Sequence, residues 1–271
     1  MTTTDIHPLD QAVALAAQAP GQYRGHTSTR YANMVGPFGG VLAATLLNAV
    51  LQHPERLGDP VALTVNFAGP VADGEFTLGA RPLRTNRSTQ HWFVELAQGG
   101  QVASSATVVT ATRRETWGAT ELSFPAVPAP EVLTRMPMIG RTAWTAAYDM
   151  RFAQGGLEME TGEESQESVS ALWIRDDPPR RLDYVSLAAI CDAFFPRIFV
   201  RRPKWVPVGT VSLTTYFHAD AAALAAQAER PVLAKARGLH FGGGYFDQTA
   251  EVWSDSGAVL ATSHQVVYYK E

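Results

Sequence analysis

The sequence predicts an α+β protein built as two tandem copies of one unit, and three observations carry that prediction. The first is an internal repeat: Leu63-Thr64-Val65-Asn66-Phe67 recurs as Leu213-Thr214-Thr215-Tyr216-Phe217, and Gly100-Gln101-Val102-Ala103-Ser104-Ser105 recurs as Gly257-Ala258-Val259-Leu260-Ala261-Thr262. The second is an alanine-rich apolar segment upstream in each copy, around Leu42-Ala43-Ala44 and Leu187-Ala188-Ala189, apolar on nearly all sides as a fully buried helix must be. The third is the stretch after each segment: a series of strand-like runs divided by turn residues, the pattern of an antiparallel meander and not of alternating βαβ units.

In chain order, Leu9 to Ala19 reads as a short helix stopped by Pro20-Gly21, and Tyr23 to Tyr31 as a first strand. Gly36-Pro37-Phe38-Gly39-Gly40 leads into a buried helix over Val41–Leu51. Strands come next at Val61–Phe67, Glu75–Pro82, His91–Leu96 and Val102–Ala111, separated by turns such as Ala72-Asp73-Gly74 and Gln98-Gly99-Gly100. Residues 118–137 carry Pro125, Pro128, Pro130 and Pro137 without a clear period, the composition of an extended, stiff linker. The order then restarts, with strands at Trp144–Phe152 and Val169–Ile174 around an acidic loop, Gly155–Glu167. A second buried helix spans Asp183 to Phe195 and stops near Pro196. Thr210–Phe217, Val232–Leu239, Phe246–Trp253 and Val259–Tyr268 form the second meander, with Ala221–Gln227 as a short helical insertion. The expected division is a first domain over 1–118, a linker over 119–140 and a second domain over 141–271.

Composition narrows the function. The 46% hydrophobic content gives a full core, and a formal net charge of −4 argues against nucleic acid as the main partner. Cys191 is the single cysteine, so no internal disulfide is expected. The N-terminus lacks a basic start and an apolar h-region, and no apolar run is long enough for a membrane span, so the expected location is cytoplasmic. The seven histidines form no His-x-x-x-His pattern, and no metal is expected. There is no Gly-x-Ser-x-Gly elbow for a serine hydrolase. Cys191, inside a buried helix, reads as a small core residue, and Gly242-Gly243-Gly244 as a hairpin turn.

The two copies differ in chemistry. Aligned by the repeat, the second places Asp192, Thr210 and Gln265 where the first has Asn48, Pro60 and Val108. Asp192 sits among Ile190, Cys191, Ala193, Phe194 and Phe195, where an unpaired carboxylate costs several kcal/mol, so it needs partners or a raised pKa. A carboxylate, a hydroxyl and a carboxamide around one point can hold and deprotonate a water. A structural aspartate that satisfies loop amides has the same spacing, and the residues alone leave both roles open. Gly39-Gly40 at a helix start would let a ligand approach free N–H groups that favour negative charge, or would serve only the loop-to-helix turn.

The whole chain resembles the acyl-CoA thioesterase II family, which has two fused hot-dog domains, each an antiparallel sheet wrapped around a central helix. The resemblance rests on Phe38-Gly39-Gly40, on Leu83-Arg84 and Ser88, on Asp192 in the second central helix, on Thr210 before a strand ending Tyr216-Phe217-His218, and on Gln265 after Ala261-Thr262-Ser263. It implies that Asp192, Thr210 and Gln265 bind the hydrolytic water, that Gly39 and Gly40 meet the thioester carbonyl at an interdomain site, and that acyl-CoA is hydrolysed to free acid and CoA. No cofactor is implied, since CoA belongs to the substrate. Val211-Ser212-Leu213 departs from the acidic and His pair common after the threonine in close relatives, so substrate preference does not transfer. Two rivals stand beside this reading: a hot-dog hydratase or dehydratase acting on an enoyl thioester, which calls for a histidine beside the carboxylate, and a non-catalytic acyl-CoA binder. Arg197, Arg201, Arg202 and Lys204, just after the second helix, are candidates for the CoA phosphates. The family is oligomeric and sheet edges need cover, so a homodimer or higher even homo-oligomer is expected.

Overall fold

The computed structural model describes residues 6–138, 141–157, 159 and 163–271. The first copy contains α1 (Pro8–Ala12), β1 (Ala16–Ala19), β2 (Gln22–His26), α2 (Gly39–Leu51), β3 (Asp59–Phe67), β4 (Glu75–Thr85), β5 (Thr89–Gln98) and β6 (Gln101–Ala111). The second contains β7 (Tyr148–Gln154), β8 (Ser170–Asp176), α3 (Tyr184–Ile190), α4 (Arg197–Arg201), β9 (Val208–Phe217), α5 (Ala221–Gln227), β10 (Val232–Arg237), β11 (Phe241–Gly242), β12 (Tyr245–Trp253) and β13 (Val259–Tyr269). All pairings are antiparallel and run in the order β1-β2-β4-β5-β6-β3-β9-β13-β12-β10-β8-β7, with β11 paired to β12. The two meanders are therefore one sheet, joined where β3 meets β9.

That junction makes the sequence repeat visible as symmetry. Thr64 lies opposite Thr214, Leu63 opposite Thr215 and Val65 opposite Leu213, so Thr64 faces its own counterpart and the residues on either side pair symmetrically about it, across a local twofold. The Thr64 and Thr214 hydroxyls sit 3.0 Å apart at its centre. The same correspondence holds one strand further out. Val108 pairs with Leu63 in the first copy as Gln265 pairs with Leu213 in the second.

The two central helices lie under this sheet. Ten of the thirteen residues of α2 are buried, as its lack of a polar face requires, and all seven of α3 are. The helices touch at Gly40, where a Cβ would lie 2.5 Å from the carbonyl oxygen of Ala189, so only glycine permits this approach. Asp183 caps α3 by accepting a 2.8 Å bond from the Ser186 backbone N–H.

Four expected elements are corrected. The strand expected over Trp144–Phe152 begins only at Tyr148, after a 3₁₀ turn over Ala143–Ala147. The second helix does not reach Phe195: it ends at Ile190, and the next N–H groups bond i→i−3 (Asp192 to Ala189, Ala193 to Ile190) before the chain turns to α4. The uniformly apolar run hides that break from periodicity. Leu9 to Ala19 is not one helix, because α1 ends at Ala12 and the following alanines pair with β2; tertiary pairing overrides alanine's helix propensity. The strand expected over Tyr23 to Tyr31 ends at His26, and a 3₁₀ turn comes after it at Thr29–Tyr31.

The proline-rich segment is extended but not free. Val127 and Leu133 pack on Trp173, Leu233 and Trp253, which lie on the face of the second meander away from the helices. Trp173 Nε1 donates to the Pro128 carbonyl at 2.9 Å, and Phe124 stands edge-on to Trp253. The segment covers apolar sheet surface that would otherwise face water. No described helix is long and apolar enough to cross a membrane.

Candidate active site

The two copies meet around one cavity of about 810 Å³, lined among others by Gly39, Asp192, Thr210 and Gln265. Each of the four arrives there for a local reason. The end of α3 at Ile190 turns Asp192 back toward the N-terminus of α2, where its Oδ2 lies 2.7 Å from the place a Cβ on Gly39 would occupy. A side chain at Gly39 would displace the carboxylate. Gln265 is on the inward face of β13 together with Ser263 and Val267, and its Nε2 donates to Asp192 Oδ1 at 2.7 Å. Thr210 depends on a β-bulge. Thr210 and Ser212 pair with the consecutive residues Val267 and Val266, so Val211 is an extra residue that reverses the alternation and points Thr210 into the cavity. The first copy has the same bulge at Val61, which turns Pro60 inward at the mirrored position.

The resulting chain of contacts runs Thr210–Gln265–Asp192. Thr210 Oγ1 approaches Gln265 Oε1 at 3.5 Å, the outer limit of a hydrogen bond, so Thr210 retains capacity for another partner. Asp192 is 8% exposed. Burial raises its pKa to about 7, against the opposing pull of the Gln265 amide and the Gly40 backbone N–H. A carboxylate with that pKa exchanges a proton near neutrality, at the positive end of α2. Asp192 is therefore not within a helix, as expected from the sequence, but just beyond one.

The mirrored position is also revised. Leu47 lies as far from the start of α2 as Asp192 does from the start of α3, so Asp192 corresponds to Leu47 and not to Asn48. Asn48 remains inside α2, and its Nδ2 donates to the Val13 carbonyl at 2.9 Å, a tie between α2 and the N-terminal segment. With Leu47, Pro60 and Val108 at the mirrored places, the first copy has no polar group to hold a water.

Of the candidate phosphate ligands, Arg197 is excluded by burial. It is 0% exposed, and its guanidinium donates to the Phe195 and Ser168 carbonyls, Ser170 Oγ and Gln248 Oε1. Desolvation lowers its pKa to about 9. Arg202 is engaged by Glu164 and Glu271. Arg201 lies over the Phe241 ring, Lys204 is exposed, and neither lines the cavity. Arg141, which sequence reasoning missed, does line it, its guanidinium 5.1 Å from the centre of the Phe195 ring. Gln248 was also missed; it is the cross-strand neighbour of Gln265 and shares the cavity wall.

Among the described residues, neither the cysteine nor a histidine lines the site. Burial pushes the Cys191 thiol up to about 12, which keeps it protonated. No histidine is among the described lining residues. His264 bonds Asp247 and His218 bonds Thr262, both on the outer side of the sheet.

Comparison with known proteins agrees with this architecture. Residues 28–113 match the family model for the acyl-CoA thioesterase N-terminal domain, and residues 123–269 that for the acyl-CoA thioesterase C-terminal domain. A conserved hot-dog protein from Alicyclobacillus acidocaldarius superposes with a TM-score of 0.94 at 45% identity, over 98% of this chain and 99% of that one. A putative thioesterase II from Thermobifida fusca superposes at 0.85 with 18% identity, over 98% and 99% of the two chains. The acyl-CoA thioesterase II TesB2 from Mycobacterium marinum superposes at 0.78 with 17% identity, over 97% and 98%; these two likenesses speak for the fold. No curated protein shows significant similarity to the chain. With both domain models matched in tandem over most of its length, the chain belongs to the acyl-CoA thioesterase family, in the double hot-dog arrangement of thioesterase II.

Proposed function

We propose that the protein hydrolyses acyl-CoA thioesters to free acid and CoA at the cavity between its two halves. Asp192 takes a proton from a water that Thr210 and Gln265 orient. The hydroxide adds to the thioester carbonyl carbon, and the oxyanion forms against the Gly39 N–H at the first turn of α2, which has no acceptor within the helix, while the Gly40 N–H is turned to Asp192. The tetrahedral intermediate then collapses with cleavage of the C–S bond, and the departing thiolate takes the proton from Asp192. The reaction needs no cofactor beyond the CoA of its substrate.

The observation that carries this reading is the Asp192–Gln265 bond at the N-terminus of the other copy's helix, in a cavity without a histidine among its described lining residues. It pairs a base with an oxyanion donor, whereas a hydratase would need a second acid–base group. A mere binder gains nothing from a carboxylate that burial holds near a pKa of about 7. The test is thiol release from a panel of acyl-CoAs. The parent chain should turn over part of the panel, and Asp192→Asn should lose about a hundredfold to ten-thousandfold in kcat. Binding without release, or hydration of an enoyl-CoA in its place, would refute the proposal. We place the protein in the cytoplasm as a homodimer or higher even assembly. Light scattering at the mass of one chain across micromolar concentrations would overturn the assembly.

A further inference from the structure

Gln248 and Arg197 have no part in the proton transfer above, yet they form a built arrangement at the cavity wall. Arg197 is fully buried and makes no ion pair among the described residues; its partners are two carbonyls, one hydroxyl and the Gln248 carboxamide. A guanidinium only donates, so its 3.0 Å contact from Nε fixes the oxygen of Gln248 toward Arg197. The amide nitrogen is thereby turned the other way. It donates to nothing among the described residues, although the side chain is only 3% exposed and lines the cavity. Gln248 faces Gln265 directly across the β12–β13 ladder, so the two carboxamides project side by side from one face. Gln265 gives one Nε2 hydrogen to Asp192 and accepts from Thr210, which leaves its other hydrogen for the water. Gln248 presents a second amide donor beside the water site, with neither hydrogen committed among the described residues. A neutral side chain would fill the space of Arg197 at lower desolvation cost. What the guanidinium adds is orientation, together with polarisation of the Gln248 amide.

We propose that Gln248 Nε2 donates a hydrogen bond to the carbonyl oxygen of the bound acyl thioester, as a further oxyanion donor, and that Arg197 is the positioning residue that holds it there. This rests on the hydrolytic reading of the site. It adds a side-chain donor from the second copy to the backbone donor of α2 from the first, so the carbonyl oxygen is held from both halves of the chain.

The decisive variant is Gln248→Glu. It keeps size, shape and an acceptor for Arg197 but removes the donor. With a straight-chain acyl-CoA that the parent hydrolyses, kcat should fall about 100-fold, the typical loss for one oxyanion donor, with KM changed only a few-fold and the thermal midpoint kept or raised. The new carboxylate also raises the pKa of Asp192, so kcat is read on the alkaline plateau of the pH profile, where that effect vanishes. Gln248→Met, uncharged and without a donor, should show the same plateau loss. Arg197→Met should lose about tenfold in kcat with KM little changed, because the amide is present but no longer aimed. A non-hydrolysable ketone analogue, with methylene in place of sulfur, should bind Gln248→Glu about tenfold more weakly than the parent, while an S-alkyl-CoA thioether without the carbonyl binds both alike. A folded Gln248→Glu protein with plateau kcat within twofold of the parent overturns the proposal while hydrolysis by the parent stands. So does a loss confined to acyl chains carrying an oxygen substituent, which would place the amide further along the chain. A parent chain that hydrolyses nothing overturns both.

Discussion

Replacing Asp192 by asparagine should make the protein slower and more stable, by an amount that depends on pH in a direction the site dictates. The carboxylate has an ordinary pKa of 3.8 in the unfolded chain and about 7 in the folded one, raised chiefly by burial. Below pH 4 it is protonated in both states and adds nothing to the pH dependence. Between 4 and 7 the unfolded chain releases the proton and the folded chain keeps it, so folding becomes less favourable as pH rises, and above 7 the penalty is complete. The distance between the two pKa values corresponds to a penalty of about 4 kcal/mol, an upper bound because buried sites relax. Asparagine is nearly isosteric, and its oxygen can still accept from Gln265 Nε2. Urea unfolding of both proteins at pH 4.5 and 8.5 checks this. The stability gain of Asp192→Asn should be small at the lower pH and grow by a few kcal/mol toward the upper bound at the higher. The parent's kcat should rise with pH and level off above about 7, as a base deprotonates. A gain that is the same at both pH values, or an Asp192→Asn protein less stable than the parent at pH 8.5, would show that Asp192 is not held protonated by its surroundings and would refute the reasoning.

Gly39→Ala should lower kcat about 10-fold to 100-fold with the fold retained, because a Cβ 2.7 Å from Asp192 Oδ2 displaces the carboxylate; circular dichroism and thiol release together check it. Gly40→Ala should instead act on stability, losing about 1–3 kcal/mol in urea melts, because its Cβ meets the backbone of α3. Asn48→Ala should cost about 1 kcal/mol of stability through the lost bond to Val13 and leave kcat near the parent value, since the first copy has no water site. Truncating Arg201 and Lys204 together should raise KM for acyl-CoA more than it lowers kcat, and the effect should fade at high salt; an unchanged KM at low salt would place the phosphates elsewhere, with Arg141 the next cation to test.

The sequence made the symmetry and its breach readable, since the repeat that aligns Leu63 with Leu213 is the register about the local twofold. It also singled out Asp192, because a carboxylate in an apolar run demands partners, and Gln265 and Thr210 were found by their places in the repeat. What could not be read was whatever depends on where a uniformly apolar segment bends. Periodicity carries the helix to Phe195, while the backbone stops it at Ile190 to free Asp192. The fate of Arg197 was hidden for a related reason. Its acceptors come from the Ser168–Ser170 stretch, the Phe195 carbonyl and Gln248, which only the folded chain assembles, so it looked like one of several surface cations. Gln248 had a usable signal, its position opposite Gln265 in a hairpin, but that signal needs the register across the Gly257 turn.

The β3–β9 junction has a consequence for what each half would do alone. Because the contact is centred on Thr64 opposite Thr214, either strand matches a second copy of itself in the same arrangement, threonine against threonine. A severed first half would leave the outer N–H and C=O groups of β3 without acceptors and donors, and a second β3 could complete them. Such a homodimer would carry two identical cavities, each lacking Asp192, Thr210 and Gln265. A severed second half, paired through β9, would have all three residues twice, but each would face Asp183-Tyr184 at the start of α3 instead of the glycines of α2. Neither product rebuilds the proposed catalytic centre. On that mechanism activity belongs to unlike halves, and mixing the two fragments should restore thiol release where neither fragment alone shows any.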